Sequence, residues 1–449
     1  MRTTDNNCGK SLTEISGCDD SQITKDNLSR IANKNLSDLQ ENNRDLLIFP
    51  QKFDTYHDDI DKLQICSLYD DNKKLRTYNF MGFIGINDTQ LTISSRFTPK
   101  ANRDYFLHYM LGKVLSLNIV NLDTTKDNEG IEDFLPYLFP AFLKRALSQG
   151  IYKEYRRNEY NNANIRGIID IPRNIRKNFP FIGNIAYNMR EYCYDNNMTE
   201  LIRHTIEYLR TLPMARTVLT SSTDTRSDVQ QVIDCTRSYN KNDRLKIINV
   251  NLKPFRHPYY TDYLPLQRLC LQILRHEKVS FGDDKDKIHG LVFDGAWLWE
   301  EYLNSILKEY FSHPRNKTGE GRKYLFKDFA IYPDFISKNE KIIADAKYKR
   351  LESKNEEYGR EDYFQIITYM YRFKAKYGFL LFPYSENIIL HPENYIYKQY
   401  SIIETEGQVT KLGLAIPQES EKYETFCHNI IKNEKEFLSK LKECCQMDD

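Results

Sequence analysis

Apolar positions in this chain change their spacing several times, and each change marks an element. Two apolar runs, Phe329 to Ile336 and Ile342 to Tyr348, are separated by the polar stretch Ser337 to Lys341, which predicts a β-hairpin. Alternation along the second strand puts Asp345 and Lys347 on one face and Ile342, Ala344, Ala346 and Tyr348 on the other. Upstream, Trp299, Tyr302, Leu303, Ile306, Leu307 and Tyr310 recur at helical spacing and predict a helix from about Ala296 to Phe311. On that helix Glu300 falls at the edge of the apolar stripe, while Glu301 points almost opposite it. Another helix is expected from Arg360 to Lys376, with Gln365 and Tyr369 on one face and Arg372 three residues on. GFLLFP and NIIL read as further strands, then Ile402-Ile403 and a short strand around Leu412 to Ala415. A charged amphipathic helix from Glu421 to Lys442 closes the chain.

Before this region, the runs LLIFP, LQICSLY, TYNFMGFIGIN and QLTISSRF predict a β-meander or small barrel starting at Leu46, with Asn87-Asp88 as one turn. Helices are expected at Asp104 to Leu117, Phe134 to Gly150, Tyr194 to Leu212 with Asn196 or Asn197 as its cap, and Leu264 to His276. Ser221 to Arg244 reads as a helix plus loop. Residues 1–45 are polar, with little helical periodicity outside SLTEIS and NLSRIANKNLSDLQ, and read as a frayed or partly helical arm. FGDDKDKIHG (281–290), two glycines around a charge run, reads as a linker. The expected organisation is a polar arm (1–45), a β-rich and helical region for partner or DNA binding (46–285), and a third domain (286–449). The fold class is α+β or α/β, with a mixed central sheet flanked by helices in the last domain.

Charge changes this picture only locally. Lys and Arg total 64 against 63 Asp and Glu, so bulk charge argues for no nucleic-acid partner. One segment, residues 151–178, is basic and aromatic and includes Arg156, Arg157 and Arg166. Such interleaving suits phosphate contact and base stacking, and equally a solvated face or a partner surface. Nine cysteines without a CxxC or zinc-type spacing read as reduced thiols. The absence of an apolar leader or spanning run points to the cytoplasm. Gly9-Lys10-Ser11 resembles the end of a phosphate-binding loop, but Thr4 stands where the motif needs glycine and no apolar strand precedes it.

The candidate chemistry lies in order along the third domain: Glu300 on a helix, Asp334 after Pro333 on a strand, Asp345 and Lys347 on its partner. Converging carboxylates form a hard, oxygen-rich site suited to Mg²⁺. Such an ion can hold a phosphate and acidify a water, while the lysine positions that water or steadies the transition-state charge, which is the logic of phosphodiester hydrolysis. Asp-x-Lys alone is weak, since Asp71-Asn72-Lys73 and Asp283-Asp284-Lys285 also match, both in turn-like sequence. The plain alternative is a surface hairpin with an Asp–Lys ion pair of little consequence. Gln365, Tyr369 and Arg372 could line a phosphate track beside the hairpin.

The order of Glu-bearing helix, Pro-Asp, Asp-x-Lys and Gln-x3-Tyr resembles the PD-(D/E)xK nucleases in their RecB-like branch. More narrowly, WEEY (299–302), YPDF (332–335), ADAKYK (344–349) and DYFQIITY (362–369) resemble McrC, the nuclease subunit of McrBC-type modification-dependent restriction systems. IRG (165–167) and DNNMTELIRHTIEYL (195–209) resemble the middle region of that family, and about two thirds of the chain is covered. The resemblance does not extend to residues 1–45. The resemblance implies a Mg²⁺-dependent DNA endonuclease in phage defence, with Glu300, Asp334 and Asp345 holding the metal, Lys347 catalytic, and Gln365 and Tyr369 in support. Lys349, Arg350 and Arg372 join Arg156, Arg157 and Arg166 as candidate DNA contacts. It also implies modified double-stranded DNA and a McrB-like AAA+ GTPase as partners, with GTP bound by that partner. The open alternatives are a non-catalytic adaptor of the motor and a stand-alone nuclease.

Overall fold

A computed structural model describes residues 1–43, 45–50, 63–98, 104–114, 135–212, 218–276, 288–314, 316, 321–350, 360–385 and 397–445. Contacts divide the chain into two compact units, Met1–Asp133 with Asp283–Asp449, and Phe134–Gly282. The contacts draw one boundary after Gly282, close to the one expected at 285, another after Asp133, and none at 45.

The first unit starts with the segment read as a polar arm, and the structure corrects that reading. Strand β1 (Arg2–Thr4) pairs in parallel with a strand some ninety residues on, and β2 (Lys10–Ser11) joins a second small sheet. Helices α1 (Gln22–Ile31) and α2 (Leu36–Asn42) follow, the first capped by Ser21, whose side chain accepts from the Thr24 N–H. Leu12, Ile15, Leu28, Ile31, Leu36 and Leu39 of this segment are buried in one core, while Ile23 stays exposed. Asp5 is fully buried against Arg96, 2.5 Å away, and burial pushes its carboxyl up to about 6 despite that cation. The elements are short and their caps polar, which dilutes the periodicity a sequence reading depends on.

Strands β3 (Asp45–Phe49), β4 (Cys66–Tyr69), β5 (Lys74–Thr77), β6 (Phe80–Ile86) and β7 (Thr89–Ser94) come next, then helix α3 (Tyr105–Val114). They do not form a meander. β2, β5 and β4 make one small sheet, while the larger sheet has the order β1-β7-β6-β11-β3. Its fourth member, β11 (Ile288–Asp294), arrives about two hundred residues later and lies antiparallel to β6 and parallel to β3. Two glycines permit the close β6–β11 approach. A Cβ on Gly82 would meet Leu291 O at 2.1 Å, and one on Gly290 would meet Phe83 O at 2.4 Å. The stretch expected as a linker thus supplies an inner strand from Ile288 onward; its first residues lie outside those described.

The second unit begins with helix α4 (Leu135–Ser148). It continues with β8 (Glu154–Asn162), β9 (Ile168–Ile169), helix α5 (Ile171–Lys177) and β10 (Ile185–Cys193). β8 and β10 pair over nine residues each, and β9 adds to β10, so the basic segment is a long hairpin with a small cap. Helices α6 (Asn197–Thr211), α7 (Thr223–Cys235), α8 (Arg244–Asn251) and α9 (Tyr263–His276) complete the unit. Asn196 caps α6, accepting from the Met198 and Thr199 N–H groups while Thr199 returns the bond, as expected of that position.

The chain then re-enters the first unit through β11 and helix α10 (Gly295–Leu307), whose N-cap Asp294 accepts from the Ala296 and Trp297 N–H groups. After β12 (Phe311–Ser312) come β13 (Lys323–Phe326), β14 (Phe329–Ile331), β15 (Phe335–Ser337) and β16 (Ile342–Ala346). Helix α11 (Arg360–Phe373), β17 (Tyr377–Ser385), β18 (Tyr397–Ser401), β19 (Gln408–Ile416) and helix α12 (Tyr423–Cys445) follow. Six of these strands form a mixed sheet in the order β12-β15-β16-β17-β19-β18. Ile343, Leu380 and Phe382 pack under α11, while Ala344, Phe379 and Leu381, which alternate with them, are also buried. The sheet is therefore covered on both faces, with α10 touching β16 and α12 touching β19. The strand expected at NIIL lies outside the described residues.

The expected hairpin forms with one change. Phe329–Ile336 is not a single strand: it breaks at Tyr332-Pro333-Asp334, so β14 pairs with β13 and only β15 pairs with β16. Pro333 has no N–H to give a ladder, and the break sits at it.

Candidate active site

Asp345 is the fourth residue of β16, an inner strand, and is only 2% exposed. The sequence placed it on the face opposite Ala344 and Tyr348; the structure buries that face as well. Lys347 follows the strand's end, and its N–H donates to Leu381 O at 2.7 Å, keeping the backbone aligned with β17. Its ammonium lies 2.6 Å from Asp345 Oδ2, donates to Gln365 Oε1 at 2.7 Å, and stands 3.5 Å from Asp362 Oδ1. From there one chain of bonds runs back to the Pro333 corner. Gln365 Nε2 donates to the Tyr369 hydroxyl at 2.8 Å, and that hydroxyl donates to Tyr332 O at 3.3 Å. The helical i, i+4 spacing of Gln365 and Tyr369 makes this relay possible.

The strand break gives Asp334 its place. Its Oδ2 accepts the Ala346 N–H at 2.7 Å, which ties the corner to the end of β16 between Asp345 and Lys347. The Asp334 carbonyl accepts from His313 Nδ1 at 2.8 Å, and the other face of that ring, Nε2, lies 3.7 Å from Glu300 and from Glu301. Glu300 therefore reaches the site beside His313, and Glu301, expected to point away, flanks the same ring. His313 stacks on Phe335 with centroids 5.2 Å apart.

Charges in this small space oppose one another. Burial, then the fields of Glu300 and Asp345, raise the Asp334 carboxyl well above the usual range, only partly offset by the Ala346 N–H and Lys347. Burial also raises Asp345, with Lys347 pulling the other way. For Lys347 burial alone would lower the pKa, but Asp345, Asp362 and Asp334 outweigh it and leave it above its ordinary value. His313 is likewise lowered by burial and raised more by Glu301 and the Asp334 carbonyl.

The donor chemistry suits a hard divalent cation, since the acids present hard oxygens and repel one another until a cation arrives. Asp345 Oδ2 is buried without a hydrogen-bond donor in line, although the Lys347 ammonium touches it. In this arrangement no three His, Cys, Asp or Glu side chains among the described residues close on a common point. Two carboxylates, Asp334 and Asp345, are thus in place, with Glu300 in their field.

Other expected residues have different surroundings. Lys349 is paired with Asp362 at 2.7 Å, Arg350 donates to Arg96 O, and Arg372 Nε donates to Tyr324 O at 2.6 Å. Arg156, on β8 of the second unit, donates to Glu200 at 2.7 Å, so its charge is largely matched within that unit, while Arg157 and Arg166 are exposed there. Sequence reasoning missed His313 and Asp362. Asp362 stands three residues before Gln365, a spacing that shares a helical face. His313 lay in no pattern, and only its place between the glutamate helix and the Pro-Asp corner singled it out.

The chain matches the family model of the McrBC 5-methylcytosine restriction system component over residues 75–383. It is similar in fold to a chain in the refined half-complex from the tetradecameric assembly of Thermococcus gammatolerans McrB AAA+ hexamers with bound McrC. That likeness has 15% identity and a TM-score of 0.55, covering 98% of this chain and 99% of that one. The cryo-EM structure of the Thermococcus gammatolerans McrBC complex is similar at 16% identity and a TM-score of 0.35, over 69% of this chain and 87% of that one, too slight to argue from. No curated protein matches the chain.

Proposed function

Since the chain is a McrC-like member of the family of McrBC 5-methylcytosine restriction system components, we propose that it is the Mg²⁺-dependent DNA endonuclease subunit of such a system. It hydrolyses phosphodiester bonds of modified double-stranded DNA when activated by a McrB-like AAA+ GTPase. The observation that carries this reading is the joint placement of Asp334, Asp345 and Lys347 at the end of one inner strand, with Gln365 and Tyr369 bonded behind the lysine. We read this as the core of a PD-(D/E)xK nuclease domain.

Asp334, Asp345 and Glu300 are the residues that would hold Mg²⁺, which when bound neutralises phosphate charge and acidifies a water. Lys347, its pKa raised, stays a cation through the neutral range and serves as a fixed positive charge for the phosphate oxygens rather than as a base. Gln365 can accept from Lys347 only with its oxygen, and its NH₂ is taken by Tyr369, so the amide orientation and the lysine's reach are set together. GTP belongs to the partner. The second unit offers that partner a surface: Ile168, Phe179 and Ile182, around α5 at the tip of the long hairpin, are 72–85% exposed.

The competing reading is an adaptor that only stimulates the motor. It draws on the three acids not closing on one point in this arrangement. Substituting Asp345→Ala in the assembled complex separates the two. The nuclease reading expects DNA cutting to vanish while stimulation of the partner's GTPase persists, and undiminished cutting would sink it.

A further inference from the structure

The hairpin β13–β14 stands out among the exposed surfaces of the first unit. Tyr324, Phe326 and Phe329 are 47%, 69% and 58% exposed, and the two phenylalanine rings meet edge to face at 6.2 Å around the turn Lys327-Asp328. Folding normally buries such rings, so a cluster left in water marks a surface meant for contact. Cations are interleaved with the rings: Arg322, Lys323 and Lys327 against Asp328 alone.

Three further facts tie this hairpin to the candidate active site. Its second strand runs through Tyr332-Pro333 directly into Asp334, so the rings and the acid share one short stretch of backbone. Its position is fixed rather than trailing, because Arg372 donates to Tyr324 O at 2.6 Å, Arg322 donates to the Tyr332 hydroxyl at 3.1 Å, and Leu325 packs on the core beneath α11. Beside it lies an open groove of about 540 Å³ whose walls include Lys323, Lys338, Ser312, Ser337 and His313, with Glu340 as its one carboxylate. His313 is the residue that holds the Asp334 carbonyl, so the groove and the acid site share a wall.

We propose that β13–β14 and this groove hold the DNA strand flanking the cut phosphate, with Tyr324, Phe326 and Phe329 against sugars and bases and Lys323, Lys327 and Lys338 on phosphates. The inference rests on the nuclease reading and adds where the substrate lies. Rings alternating with cations are what a nucleic-acid strand requires, since each base offers a face and each phosphate a charge. A protein partner would leave the cations, and their place beside the acid site, without a use.

The test uses the full chain without divalent metal, so that binding is read apart from cutting, and a fluorescein-labelled duplex a few helical turns long. Phe326→Ala with Phe329→Ala should weaken binding by roughly tenfold. Lys323→Ala with Lys327→Ala should flatten the salt dependence. 5-Iododeoxyuridine in the duplex should crosslink to the hairpin. Unchanged binding by both hairpin variants, with crosslinks elsewhere, overturns the inference and leaves the nuclease reading standing. Unchanged DNA binding with lost association to the AAA+ partner overturns it in favour of a protein-docking face. If the unaltered protein neither binds DNA nor cuts it with Mg²⁺ and partner present, the nuclease reading fails and the inference with it.

Discussion

Replacing Lys347 with methionine removes an ammonium that touches Asp345 at 2.6 Å and stands 3.5 Å from Asp362, while keeping most of the side chain's bulk. Asp362 retains Lys349, but Asp345 loses its closest cation in a place with almost no access to water. Breaking a buried pair on one side costs about 3–5 kcal/mol. Lys347 lies near the rim, and Asp345 can answer by taking a proton, so the lower end, about 3 kcal/mol, is expected near neutral pH. The pH dependence follows from the sign of the Asp345 shift. Its folded carboxyl is already raised by burial, and losing Lys347 raises it further. A carboxyl raised in the folded state contributes stability that is complete below its unfolded pKa, about 4, and lost as pH climbs through the folded value. Urea unfolding of Lys347→Met at about pH 5 should therefore show a smaller loss than at about pH 8. Adding Asp345→Asn should recover most of it, because removing both partners of a buried pair is nearly neutral. A loss that is equal at both pH values, or that the second substitution fails to recover, would refute the reasoning. DNA cutting should be absent in either variant.

Two other expectations follow from geometry. Glu434 on α12 accepts the hydroxyls of Tyr109 and Tyr302 at 2.9 and 2.8 Å; Glu434→Ala should cost about 2–5 kcal/mol by leaving two buried phenols unmatched, whereas Glu434→Gln keeps an acceptor and should cost about 1. Equal losses in denaturant titration would show that the charge, not the acceptor, matters. Gly290→Ala would put a Cβ 2.4 Å from Phe83 O and 2.8 Å from the Ile84 Cα. Backbone atoms cannot step aside, so a loss of about 3 kcal/mol or more is expected, read as a lowered melting temperature, and an unshifted melt would contradict the tight β6–β11 pairing.

What the sequence made legible was local. The stripe of Trp299, Tyr302, Leu303 and Leu307 located α10, and the Asn196 cap located the start of α6, since both signals lie within a few residues of the element they define. The turn between β15 and β16 and the Gln365–Tyr369 face were readable for the same reason. Long-range pairing was not. Nothing in IHGLVFD says that it lies between β3 and β6 rather than opening the next domain. The burial of Asp345 escaped notice because alternation tells which side a residue faces, while β17 and α11 decide whether that side is covered. His313 is bound through a backbone carbonyl, a contact that leaves no trace in side-chain spacing.

The place of β11 also governs the order in which the protein can be built. Between β6 and β11 a ribosome must add about two hundred residues, roughly 10–40 seconds of synthesis. Until then β3 and β6 each present an open strand edge. Strand β16, which bears Asp345, emerges later still, so a chain cut short within the second unit carries an unfinished sheet and lacks the proposed site. An incomplete message thus yields a chain with open strand edges and none of the proposed site.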